Sequence, residues 1–179
     1  MRLPGRIHRR RNESSGPPRP PGQQWQRREL VIWGAHGGAG TSTLAVWLQP
    51  AWDMGAMRPE PNPRYPADVA HGRALLVVCR NTAWSAAQAA RALEAVTSQG
   101  GHVAVLAVVS DGRREPATAS QSFRFLEARA GAVVRIPFIR RMRRANDPVD
   151  ALPPRKARRA LADVQAATGR NYPIRHQEV

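Results

Sequence analysis

The sequence predicts an α/β fold, a small parallel sheet of about four strands with helices on both faces. Three observations predict it. Apolar runs of strand length alternate with helical stretches along residues 29–140. The runs are apolar throughout rather than every second residue, the pattern of strands covered on two faces. The first run also passes through a glycine-rich turn directly into a helix. Right-handed crossovers follow as the default, and every strand's carboxyl end then lies on one edge, where ligands sit in such sheets.

The elements follow in order. Leu30-Val31-Ile32-Trp33 is the first strand, and Thr43 to Leu48 reads as a helix. Pro50, Pro59, Pro61, Pro63 and Pro66 forbid a long helix and argue against a central strand, so 50–72 is expected to be a proline-rich surface loop. Ala74 to Cys79 is the second strand. From Trp84 to Thr97 the apolar positions Trp84, Ala87, Leu93 and Val96 mark an amphipathic helix closed by Gly100-Gly101. Val103 to Val109 is the third strand, Ser120 to Arg129 a shorter helix, Ala132 to Ile136 the fourth strand, and Arg155 to Ala167 the last helix. Trp33, Trp47 and Trp84 take core-facing positions in this reading, and Trp25 and Trp52 are left for the surface. The carboxyl edge collects Trp33 and Gly34, Arg80 and Asn81, Ser110 and Asp111, and Arg135 to Phe138.

With 179 residues, the chain fits one domain carrying additions. Residues 1–28 form an expected disordered basic arm, with eight arginines against Glu13 and a Pro-rich centre. Residues 29–140 hold the α/β domain, and 141–179 a basic helix and tail. No apolar run is long enough to span a membrane, and the basic amino terminus has no apolar segment behind it, so a cytoplasmic protein is expected. Cys79 is the only cysteine, which excludes an intrachain disulfide and a multi-cysteine metal site. His8, His71, His102 and His176 share no ligand spacing. The formal charge of +15 points to DNA, anionic lipid or an acidic protein partner. Lys156 is the sole lysine, and the alternative reading of the arginine skew is a high-GC coding bias. The densest basic groups are Arg140, Arg141, Arg143 and Arg144, then Arg155, Lys156, Arg158 and Arg159. No helix-turn-helix, zinc finger or interleaved aromatic platform accompanies them, so any nucleic-acid contact is expected to be nonspecific.

The turn reads Gly34-Ala35-His36-Gly37-Gly38-Ala39-Gly40-Thr41-Ser42-Thr43. Small residues let peptide amides turn toward one point beside a helix start, a nest for phosphate oxygens. The candidate ligand-binding residues are therefore His36, Gly37, Gly38, Ala39, Gly40, Thr41 and Ser42, joined by Arg80 and Asp111 from neighbouring strand ends. Ser42 stands where a P-loop hydroxyl holds magnesium, while Thr41 takes the place of the P-loop lysine. His36 is a phosphate donor if protonated and otherwise a solvent-facing imidazole. Asp111 is a candidate for a magnesium-bound water or an ordinary turn aspartate.

On these residues the turn resembles the deviant Walker A loop of the ParA/MinD family, K-G-G-x-G-K-[ST], retaining Gly37, Gly38, Gly40 and Ser42. Both signature lysines are replaced, by His36 and Thr41. The loop, Val78-Cys79-Arg80, Ala86-Ala87-Gln88 and Ile136-Pro137-Phe138 also resemble an uncharacterised actinobacterial family of reduced P-loop proteins that accompany mobile or conjugative elements. That second likeness covers roughly 29–165 and, since the family has no assigned activity, sharpens fold and context. The ParA/MinD likeness implies ATP or GTP with Mg2+ as ligand and a homodimer, with little or no hydrolysis because the charged counterion is missing. The alternative is a basic DNA-binding or adaptor protein with a vestigial loop.

Overall fold

A computed structural model describes residues 29–58, 67–70, 72–143 and 152–169. The basic arm 1–28, Trp25, prolines 59 to 66, Arg144 and the tail beyond 169 lie outside the described residues. Five strands form one sheet: β1 (Leu30–Gly34), β2 (Ala51–Ala56), β3 (Ala74–Arg80), β4 (Val105–Val109) and β5 (Val133–Ile136). The helices are α1 (Thr41–Trp47), the single turn α2 (Ala67–Ala70), α3 (Ala83–Ser98), α4 (Ala117–Glu127) and α5 (Arg155–Ala167), with a 3-10 helix at Arg140–Arg143. The α/β class, the all-parallel sheet and the helices on both faces are as the sequence predicts.

The strand count is not. Ala51–Ala56 pairs in parallel with β1, so part of the expected proline-rich loop is a fifth strand. The reason lies in where the prolines stand. Pro50 precedes the strand and the next proline comes only at 59, so no missing amide interrupts the ladder. β2 is an edge strand, half-exposed along its length, and pairs only with β1. Its Ala-Trp-Asp-Met-Gly-Ala is mostly exposed and interrupted by Asp53 and Gly55, so it lacks the unbroken apolar run by which buried strands are read from sequence.

The strand order is β2-β1-β3-β4-β5. The chain moves one way from β1 to β2 and the other way from β3 through β4 to β5. Crossovers of constant hand then place their helices on opposite faces. The packing agrees: α3 and α4 bury Ala89, Leu93, Val96, Ala119 and Phe123 against Val31, Leu75, Val77 and Leu106. On the other face α1 and α5 bury Leu44, Leu48, Leu161 and Val164 against Ile32, Leu76, Val78 and Val105. Alternate residues of one strand thus enter different cores, which is why the strands are apolar on both sides. Burying each Leu or Val side chain contributes roughly 1.5–3 kcal/mol.

The helix α3 shows how local chemistry sets the frame. Thr82, in an extended conformation, accepts a hydrogen bond from the Ser85 amide at 3.2 Å and so caps the first turn. At the other end the Gly101 amide donates to Val96 O and the Gly100 amide to Thr97 O, with Gly100 at φ 74°. That pair of hydrogen bonds is the Schellman closure expected of the Gly-Gly pair. The buried stripe runs through Ala86, Ala89, Leu93 and Val96. Trp84 falls off that stripe and is 61% exposed, which corrects its assignment to the core. Trp33 and Trp47 are buried and Trp52 is exposed, as expected.

Candidate functional site

Reversal of direction between β1 and β3 opens a crevice at the carboxyl edge, the switch point at which doubly wound sheets take ligands. The glycine-rich turn leaves β1 at this crevice. Its first residues continue the sheet: the Ala35 amide donates to Val78 O at 2.8 Å. Register pairs Gly34 with Val78 and Arg80 with Val109, so β3 projects two residues past the end of β1 and Arg80 flanks the turn.

His36 turns inward rather than to solvent. It is 8% exposed. Its Nε2 accepts from the Arg80 amide at 3.2 Å, which leaves Nδ1 to carry the proton toward Gly37 O at 2.8 Å. The ring also lies 5.0 Å from the Trp84 ring in a tilted arrangement. Both nitrogens are thus engaged within the protein, in place of the solvent-facing imidazole expected. His36 pins the turn to β3.

Arg80 completes that attachment from above. Its Nε donates to Gly38 O at 2.9 Å, and Nη1 lies 3.5 Å from Ser110 O. The guanidinium therefore sits over the turn and brings a fixed positive charge to it. Gly37 and Gly38 are exposed, and Ala39 is buried against the sheet. Gly40 caps α1 at φ 106° and ψ 18°, a left-handed conformation that a side chain would strain. The first intrahelical bond of α1 is Leu44 N to Gly40 O, at 3.1 Å. Upstream of it, the amides of Gly37, Gly38 and Gly40 to Thr43 show no hydrogen bond to an acceptor among the described residues, while Gly37-Gly38 form a hydrogen-bonded turn closed by the Ala39 amide.

Thr41, in the lysine position, is buried, and its hydroxyl lies 3.1 Å from where a Cβ on Gly34 would stand. The same Cβ would meet His36 O at 3.2 Å and Gly55 O at 3.3 Å, so Gly34 is required for close approach of three chain segments. Ser42 is exposed on the first turn of α1. Asp111 closes its own turn: Oδ1 accepts from the Arg113 amide at 2.8 Å, and its amide donates to Asn81 Oδ1 at 3.0 Å. Sequence reasoning placed Asn81 at this edge without giving it a role. It is buried, donates through Nδ2 to Arg113 O at 3.2 Å, and latches the end of β3 to the loop after β4.

A cleft of about 240 Å³ opens beside the turn. Of the predicted residues it joins Gly40, Arg80 and Asp111; His36, Gly37, Gly38, Ala39, Thr41 and Ser42 do not line it. Its apolar wall is Leu44, Trp47, Phe138 and Met142. Phe138 was expected at this edge, but Leu44, Trp47 and Met142 were not, because nothing local in the sequence shows that α1 and the 3-10 helix approach one another. A second cleft of about 290 Å³ is lined by Asn81, Arg113, Glu115 and Arg135. There Arg135 Nη2 pairs with Glu115 Oε1 at 3.1 Å. Cys79 is buried, and burial pushes its thiol from the ordinary 9.0 up to about 12, with the Glu115 carboxylate acting in the same direction. A thiol so held is a packing residue.

Among the described residues no group of three or more His, Cys, Asp or Glu side chains stands ready for a metal ion. No helix among them is long and apolar enough to cross a membrane. No family model, curated protein or solved structure matches this chain.

Proposed function

We propose that the chain is a reduced relative of ParA/MinD-type P-loop proteins that binds a phosphate-bearing ligand, ATP or GTP with Mg2+, and hydrolyses it little or not at all. In this reading it serves as an accessory factor of a mobile or conjugative element. The observation that carries the binding proposal is the set of peptide amides of Gly37, Gly38 and Gly40 to Thr43, which show no acceptor among the described residues, beside the Arg80 guanidinium at the switch point. Amides in this state gain from an anionic partner, and a fixed cation next to them strengthens that preference.

The residues fit binding better than turnover. Ser42 is exposed beside the turn, where its hydroxyl would share a magnesium ion with phosphate oxygens. Thr41 is too short and too buried to follow charge onto a transferring phosphoryl group. Arg80 is held to Gly38 O and has a planar fork rather than a mobile ammonium. Without a charge that strengthens its contact in the transition state, barrier lowering of several kcal/mol is lost.

Titration calorimetry and thermal shift with Mg-ATP and Mg-GTP test the reading. Binding is expected to raise the midpoint, and ligand at a hundredfold excess over Kd stabilises by about 2.7 kcal/mol. Arg80→Ala is expected to weaken it by about tenfold, corresponding to the 1.4 kcal/mol of one modest charged contact. No heat and no shift at millimolar nucleotide would remove the proposal.

A further inference from the structure

The carboxyl-terminal part of the fold presents a basic surface that folding does not require. Arg140 and Arg141 on the 3-10 helix, and Arg155, Lys156 and Arg159 on α5, are all exposed. Both elements lie on the same side of the sheet, because Ile139 and Met142 pack on the apolar cluster that holds Ala160, Leu161 and Val164. The ion pairs of the described residues, Glu29 with Arg73 and Glu115 with Arg135, use none of these five cations. Asp163 is the one acid on α5. Moreover, the first turn of α5 carries Arg155 and Lys156 and no acid, although the helix macrodipole favours the opposite sign there. The charge therefore costs the isolated fold some stability, and an external polyanion would offset that cost.

We propose that this surface docks the phosphate backbone of duplex DNA. Guanidinium groups, which supply four of the five cations, match phosphate geometry with paired donors. A bilayer is a poorer occupant. The apolar face of α5, through Ala157, Ala160, Leu161 and Val164, is buried in the core and is not free to enter lipid. Single strands are poorer also, since no aromatic platform interrupts the cations of α5. The proposal is independent of what the glycine-rich turn binds.

The full chain is titrated against a short fluorescein-labelled DNA duplex by anisotropy, between about 50 and 200 mM salt. A variant carrying R140Q, R141Q, R155Q, K156Q and R159Q is expected to bind at least about tenfold more weakly at the lower salt. Its plot of log K against log salt should flatten by roughly 0.9 for each cation that meets a phosphate. A companion carrying R140K, R141K, R155K and R159K keeps the charge and should keep the slope, while binding more weakly than wild type for want of the paired donors. Equal affinity and slope for wild type and the glutamine variant, with circular dichroism and Tm preserved, would overturn the proposal and move any DNA contact to the arm. So would preference of the wild type for phosphatidylserine vesicles over the duplex.

Discussion

Gly34 illustrates how one residue serves both sequence and site. Its missing side chain lets Thr41, His36 and Gly55 crowd the end of β1, and the sequence marks it as part of a turn without showing who the neighbours are. His36 shows the reverse. As a sequence position it looked like a lost lysine turned to solvent; in the fold its two nitrogens and its ring face are occupied by Gly37, Arg80 and Trp84. Cys79 carries a prediction of its own. Its folded pKa lies above the unfolded one, so the thiol contributes no pH dependence below about 9, and stability is lost as pH rises from about 9 through 12. The slope should be about 1.4 kcal/mol per pH unit within that window. Urea unfolding of wild type and Cys79→Val at several alkaline pH values measures it. If the variant retains the same slope, the thiol is not the group responsible.

Elements are legible where caps and periodicity agree. The last helix was read at Arg155 to Ala167, and those are its bounds; its stripe Ala157, Ala160, Leu161 and Val164 has helical spacing. The spacing predicts α3 one residue short at each end and its closure at Gly100-Gly101, where Gly100 takes the left-handed turn. β2 escaped notice because an edge strand of half-exposed residues has no apolar run, and nearby prolines biased the span toward loop. The load borne by α5 is testable. Leu161 is fully buried between the helix and the sheet, so Leu161→Ala should cost about 2–5 kcal/mol in chemical denaturation. A cost below 1 kcal/mol would mean that α5 contributes little to the core.

At the scale of the molecule, charge is the dominant property. A formal +15 spread over 179 residues repels itself, and few of the cations are paired within the described part. Raising NaCl from about 10 to 150 mM shortens the screening length from about 30 to 8 Å, and Tm should rise. The expected gain is roughly 2–4 °C for each kcal/mol of repulsion relieved. A Tm that is flat or falls over this range would show that the cations are already neutralised within the fold.

By itself the sequence determined the fold class, the parallel sheet, four of its five strands and the place of the glycine-rich turn. Those depend on apolar periodicity and on glycine and proline, which act over a few residues. Tertiary structure alone decided that β2 closes one edge, that His36 and Arg80 bolt the turn to β3, and that Trp47, Phe138 and Met142 meet in a cleft. These rest on contacts between segments tens of residues apart, and no local pattern encodes which distant side chain will fill a given space.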